Sequence, residues 1–138
     1  MKLSIRRLNH ITINAPSGEE AKIRSFYGGI LGLKEVELPS SLTSVFEIVW
    51  FEMLDYLLHV EFTHHFIHPE TCIEKDVMLP GRHFAVEIIG IHEFRKYLEA
   101  NNVVILEAVV IPDRDRFYMV DPFGNILELI EFHKDQEK

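Results

Sequence analysis

Apolar and polar residues along the chain switch between two periods, and the switches come twice in the same order. "KLSIRRLNHITINA" alternates with period two and predicts a strand ending near Ala15. "PSGEEAKIRSFYGGILG" then carries helical spacing. Ser17 with Glu20 three residues on predicts a capping box at its start, and Gly28, Gly29 and Gly32 predict its end. "LKEVELP" reads as a short strand stopped by Pro39, and "SVFEIVWFEM" with "YLLHVEF" as a hairpin around Leu54 and Asp55. Segment 64–81, "HHFIHPETCIEKDVMLPG", has no clean period and contains two prolines, so it reads as a linker. The plan then repeats. "RHFAVEII" predicts a strand, "IHEFRKYLEANN" a helix ending at its Asn pair, and "VVILEAVVI" a strand. "RFYMV" and "ILELIEF" form a hairpin around "DPFGN", and the charged tail "HKDQEK" reads as frayed.

The predicted order is therefore βαβββ, linker, βαβββ. This is a single domain over 1–138, with module one at 3–63, the linker at 64–81 and module two at 82–133. A four-stranded sheet covered on one face is marginal alone. The expected class is α+β, with paired βαβββ modules forming a curved, cup-like mixed sheet, helices outside and a cleft inside. Small-molecule sites tend to occupy such concave surfaces.

Charge removes several classes of partner. The chain carries a net charge of −8, which argues against nucleic acid and against an anionic membrane surface. No apolar run approaches the ~20 residues of a membrane span. "MKLSIRRLNH" lacks the apolar core of a secretion signal. One cysteine, Cys72, excludes an internal disulfide framework and fits a reducing compartment. The expectation is a cytoplasmic protein acting on a small molecule.

Strand alternation then sorts the polar residues by face. His10 and Thr12 share one in the first strand. Glu61 shares its own with His59, Leu57 and Thr63, and His83 shares with Ala85 and Glu87. Glu128 points with Ile126 and Ile130, away from Leu127, Leu129 and Glu131. Each module thus offers a strand histidine and an acidic residue on its last strand: His10 with Glu61, His83 with Glu128. A carboxylate in a strand centre is costly unless something positive meets it. Two imidazoles and two carboxylates suit a divalent first-row ion such as Zn, Ni, Mn, Fe or Co. The bland alternatives are a hydrogen-bonded strand histidine and a solvated terminal-strand glutamate.

"LNHITINA", "FYGGILGL", "LLHVEF", "GRHFAVEI" and "RFYMVDPFGNILELIE" resemble the glyoxalase/bleomycin-resistance/extradiol dioxygenase family, the vicinal oxygen chelate superfamily. The likeness spans residues 6–132, and its most specific piece is the closing D-P-x-G-N-x-x-E-L run. It implies one divalent metal ion per site, with His10, His83 and Glu128 as recurrent ligands and Glu61 as the fourth in the glyoxalase I-like branch. His59, two residues from Glu61 on the same face, is the alternative fourth ligand, and reads otherwise as a neutral pocket-wall histidine. A Glu61 that leaves the metal becomes a carboxylate base, which implies lyase or isomerase chemistry by proton transfer beside a metal-bound oxygen. His10-Ile11-Thr12 also matches the fosfomycin-resistance branch. That branch's phosphonate contacts have no counterpart in "LEAVVIPDRDRFY". Ring-cleaving dioxygenases use the same trio in longer chains.

Pocket-wall candidates are Thr12, Trp50 or Phe51, Phe117 or Tyr118, and Arg114 or Arg116. An Arg116 in the cleft favours an anionic substrate. His64, His65 and His68 form a weaker histidine cluster in the linker. The competing class is a non-catalytic, bleomycin-resistance-type protein that sequesters a ligand between aromatic walls. The resemblance implies a homodimer in which modules pair within one chain or between two.

Overall fold

The first predicted strand begins only at His10. The computed structural model describes residues 1–70, 72–74 and 77–134, which divide into two units, Met1–Phe66 and Ile67–Lys138. In the first, β1 (His10–Pro16) runs parallel to β4 (Tyr56–Thr63). Antiparallel to β4 lies β3 (Ile48–Met53), followed by β2 (Glu35–Val36), giving the order β1-β4-β3-β2. His10 sits opposite Leu57, the second residue of β4, so its partner strand has only Tyr56 left before the turn. Residues 1–9 are accordingly exposed and outside the strand.

One face of this sheet presents Val49, Phe51, Leu58 and Val60, all buried. The helix packs there: α1 (Glu20–Ile23) continues as a π-helical stretch, Arg24–Ile30, whose Tyr27 ring lies 5.9 Å from that of Phe51. The predicted capping box does not form. Glu19 occupies the N-cap, and the Ser17 hydroxyl donates to the Glu47 carboxylate, a contact that ties the helix entry to the approach of β3. A short helix unforeseen in the sequence, α2 (Ser40–Thr43), precedes β3.

In the second unit the predicted linker holds a small antiparallel pair, β5 (Cys72–Glu74) and β6 (Val77–Leu79). The main sheet then repeats the first one's plan. Its strands are β7 (His83–Glu87), β8 (Val104–Glu107), β9 (Arg114–Val120) and β10 (Ile126–Phe132), in the order β7-β10-β9-β8 with β7 and β10 parallel. Helix α3 (Ile91–Ala100) buries Ile91 and Leu98, as the sheet buries Phe117, Met119, Leu127 and Leu129. Its first amides donate to Glu131, at 3.0 Å from Gly90 and 2.8 Å from Ile91. That carboxylate is held below its ordinary range by those two N–H bonds.

The "DPFGN" hairpin has a specific design. The buried Asp121 accepts from the backbone N–H of Phe123 at 2.8 Å and of Asn125 at 2.9 Å, and from the Asn125 amide at 2.9 Å. Gly124 takes φ +87°, and an added Cβ there would lie 2.5 Å from the His68 ring. The turn sets the pairing of Glu128 with Tyr118. Both four-stranded sheets are mixed, and the fold class is α+β as expected. Among the described residues no helix is long and apolar enough to cross a membrane.

Candidate functional site

Glu128 is 7 % exposed in the middle of β10, and it meets two residues. Arg116, two residues before its register partner Tyr118, donates from Nη1 to Glu128 Oε1 at 2.8 Å and to the Tyr118 hydroxyl at 3.1 Å. Burial opposes the guanidinium charge, but these bonds to Glu128 and Tyr118 win and hold its pKa above the ordinary value. On the other side His83 Nε2 lies 3.2 Å from Glu128 Oε2. The strand-centre carboxylate is thus met by an arginine and a histidine of its own unit.

His83 is oriented from behind. Its Nδ1 lies 2.9 Å from the Gly81 carbonyl, an atom that only accepts. The Gly81 carbonyl and the Glu128 carboxylate both only accept, so the ring meets both with a proton on each nitrogen, or with a proton on Nδ1 and a metal ion at Nε2.

In the first unit the corresponding face carries a ladder of rings. His59 is sandwiched between His10 and Trp50, with centroids 4.0 and 4.1 Å away and planes 11° and 6° from parallel. His59 is 8 % exposed. Desolvation, reinforced by His10, lowers its pKa to about 4, so the ring is neutral near pH 7. Its Nε2 and the Trp50 Nε1 are buried without a hydrogen-bond partner among the described residues. Trp50, not Phe51, occupies this face, because Phe51 is committed to Tyr27.

The two sheets can be superposed by register alone. His10 pairs with Leu57 and His83 with Ile126; two residues on, Thr12 pairs with His59 and Ala85 with Glu128. Trp50 lies opposite His59 as Tyr118 lies opposite Glu128. His59 is therefore the counterpart of Glu128. Glu61 is the counterpart of Ile130, one pleat further along, and is exposed. Strand alternation groups Glu61 and Glu128 as the acidic residues of the two last strands; by register Glu61 lies one pleat beyond the position that Glu128 holds.

Other candidates lie elsewhere. Phe117 faces the helix side, with the Arg95 guanidinium 5.5 Å from its ring centroid. Arg114 is held by Asp113 at 2.7 Å and stacks over Phe132. His64 and His65 are exposed, while His68 packs on Gly124. Thr12 shares the ladder's face opposite His59. Among the described residues no group of three or more His, Cys, Asp or Glu side chains is arranged to hold a metal ion. The Arg116–Glu128 bond was legible in principle, since hairpin parity puts both on one face. The Gly81 and Val109 carbonyls that anchor His83 and Arg116 left no side-chain signal.

No family model matches the sequence, and no curated protein matches it. Solved structures do. A Bacillus anthracis protein described as a glyoxalase family member is 28% identical, with a TM-score of 0.80, covering 96% of this chain and 100% of that one. A glyoxalase/dioxygenase from Nostoc punctiforme is 23% identical with a TM-score of 0.72, over 94% and 92% of the two chains. A genomically encoded fosfomycin resistance protein from Listeria monocytogenes shares the fold at 16% identity, with a TM-score of 0.70 over 96% and 98%.

Proposed function

The chain belongs by its fold to the vicinal oxygen chelate superfamily, and from that premise we propose that it is a divalent-metal-dependent, glyoxalase-like enzyme acting on a small oxygenated molecule. The observation that carries this reading is the approach of His83 Nε2 to Glu128 Oε2 at 3.2 Å with Nδ1 tied back to Gly81. A divalent ion fits that donor set. The imidazole is oriented for it, and an N,O pair suits Zn, Ni, Mn, Fe or Co.

His83 and Glu128 are the proposed metal donors of the second unit, and His10 and His59 those of the first. Register and the unpartnered Nε2 favour His59 over Glu61 for the role. Neutrality at pH 7 suits it too, because only an unprotonated imidazole has a lone pair to give. Glu61, exposed on the same face, is left free as the catalytic base that removes a proton from carbon. The ion, when bound, supplies Lewis acidity that compensates charge developing on a substrate oxygen. Tyr118 accepts from Arg116, an all-donor group, so its hydroxyl proton is available to a substrate oxygen. Proton transfer beside a carbonyl, hence lyase or isomerase chemistry, is the reaction class this favours. Addition to an epoxide and ring cleavage by a dioxygenase rank behind it.

A second reading has one observation of its own. The His10–His59–Trp50 ladder offers flat aromatic surface, as a protein that sequesters a planar ligand requires. Homodimerisation and a cytoplasmic location belong to the proposal. The test is elemental analysis of untagged protein, beside Glu128→Ala, His59→Ala and Glu61→Ala, with substrate C–H exchange followed in D2O. Near-stoichiometric metal is expected in wild type and Glu61→Ala, and reduced metal in the other two; Glu61→Ala should lose exchange. Wild type that takes up no metal on reconstitution sinks the enzymatic reading and leaves the sequestering one.

A further inference from the structure

Arg116 has a second hold besides Glu128. Its Nε and Nη2 donate to the Val109 carbonyl at 3.2 and 2.7 Å. Val109 lies in the stretch 108–113 joining β8 to β9, which has only one isolated bridge, Ile111 to Arg114, among its described residues. Its apolar side chains do little to anchor it, Val109 being 58 % and Val110 85 % exposed. Behind it lies a cavity of about 220 Å3, lined by Ile91, His92, Arg95, Val110 and Phe117 among others. The loop therefore has space to move into; the guanidinium tethers it at Val109, while its far end is tied by the His133 amide, which donates to the Asp113 carbonyl at 3.0 Å.

The other end of that tether is a buried carboxylate. Side chains of Arg116 and Glu128 are 14% and 10% exposed, so each charge depends on the other. A divalent ion arriving at Glu128 would place two cations on one carboxylate in a poorly screened setting, where their repulsion is large. We propose that Arg116 is a positioning residue that makes the placement of loop 108–113 depend on the charge and occupancy of Glu128, the guanidinium and a divalent cation being alternative counter-charges. The occupancy half rests on Glu128 being a metal donor, as proposed above; the charge half does not. In the metal-free protein Arg116 holds both Glu128 and Val109. With an ion at Glu128, its grip on the carboxylate weakens and the loop loses its fixed anchor.

The test is amide hydrogen exchange of residues 109–111, 113 and 114 in the full chain, Arg114 donating across the loop to the Ile111 carbonyl, without metal and with Ni2+. Wild type is compared with Glu128→Gln and Arg116→Met, using protection of α3 amides as the control for folding. Without metal, both variants should exchange in the loop about tenfold faster than wild type. Ni2+ should speed loop exchange in wild type and leave Arg116→Met unchanged. Arg116→Lys keeps the charge but lacks the fork that reaches Val109. It should behave like Arg116→Met, and it serves should the latter not fold. Unchanged loop exchange in Glu128→Gln overturns the proposal. So does Ni2+ that binds wild type without altering the loop. Fast exchange in both variants with no Ni2+ bound at all upholds the charge coupling while removing the metal reading.

Discussion

His59 stands in the first sheet where Glu128 stands in the second: each faces the residue two positions beyond its unit's strand histidine, and each has an aromatic ring opposite it. The same place in the plan is filled by a neutral imidazole in one unit and a carboxylate in the other. Their surroundings differ to match. Ile48 occupies the position that Arg116 holds in the second sheet, so the first has no guanidinium there and stacks rings instead.

The ladder makes stability depend on pH. His59 has a folded-state pKa of about 4 against an ordinary 6.5. Above pH 6.5 both folded and unfolded forms are neutral and it contributes nothing. Between 6.5 and 4 the unfolded chain takes up a proton that the folded one refuses, so stability falls as pH falls. The full loss is roughly 3 kcal/mol. Urea denaturation at pH 7 and pH 4 should show a smaller loss in His59→Phe than in wild type, by about that amount. Equal losses would show that His59 is protonated within the fold.

The Arg116–Glu128 pair should be costly to break and cheap to replace. Arg116→Met leaves the buried carboxylate with His83 alone and should lower stability by ~3 kcal/mol. Arg116→Met with Glu128→Leu should regain most of it. A double-mutant cycle by denaturation checks this; additive effects of the two changes would mean that the charges do not depend on each other.

Gly124 carries two constraints that can be separated. Gly124→Ala places a side chain at φ +87° and drives its Cβ into the His68 ring, so it should cost more than ~1 kcal/mol. His68→Ala in the same chain should recover the steric part and leave the backbone part. Thermal melts of the two singles and the double suffice, and no recovery would place the whole cost in the backbone.

Leu54 sits at the β3–β4 hairpin tip with φ +53° and is 99 % exposed. A left-handed conformation costs a branched side chain about 1 kcal/mol, and no burial offsets it here. Leu54→Asn should therefore raise the denaturation midpoint. A lowered midpoint would mean that the leucine has a packing partner in solution, which concentration-dependent sedimentation would reveal.

Short-range pattern determined much of this protein. Alternation around Ile126–Phe132 and the Pro-Gly turn before it specified a hairpin and put Glu128 on one face with Tyr118 and Arg116, because side-chain period and turn length are local properties. The repeat of βαβββ was legible for the same reason. Parallel register was not. Whether His10 meets Leu57 or Val60 depends on packing between residues more than forty positions apart in the chain, and that choice gave His59, not Glu61, the counterpart position to Glu128. The start of β1 at His10 likewise reflects how little of β4 precedes its partner Leu57, Tyr56 alone, although residues 1–9 alternate as strands do. Backbone carbonyls completed the site: Gly81 turns His83, and Val109 holds Arg116. Every residue has such a carbonyl, so composition carries no trace of which ones matter; only the folded chain brings a particular donor within reach.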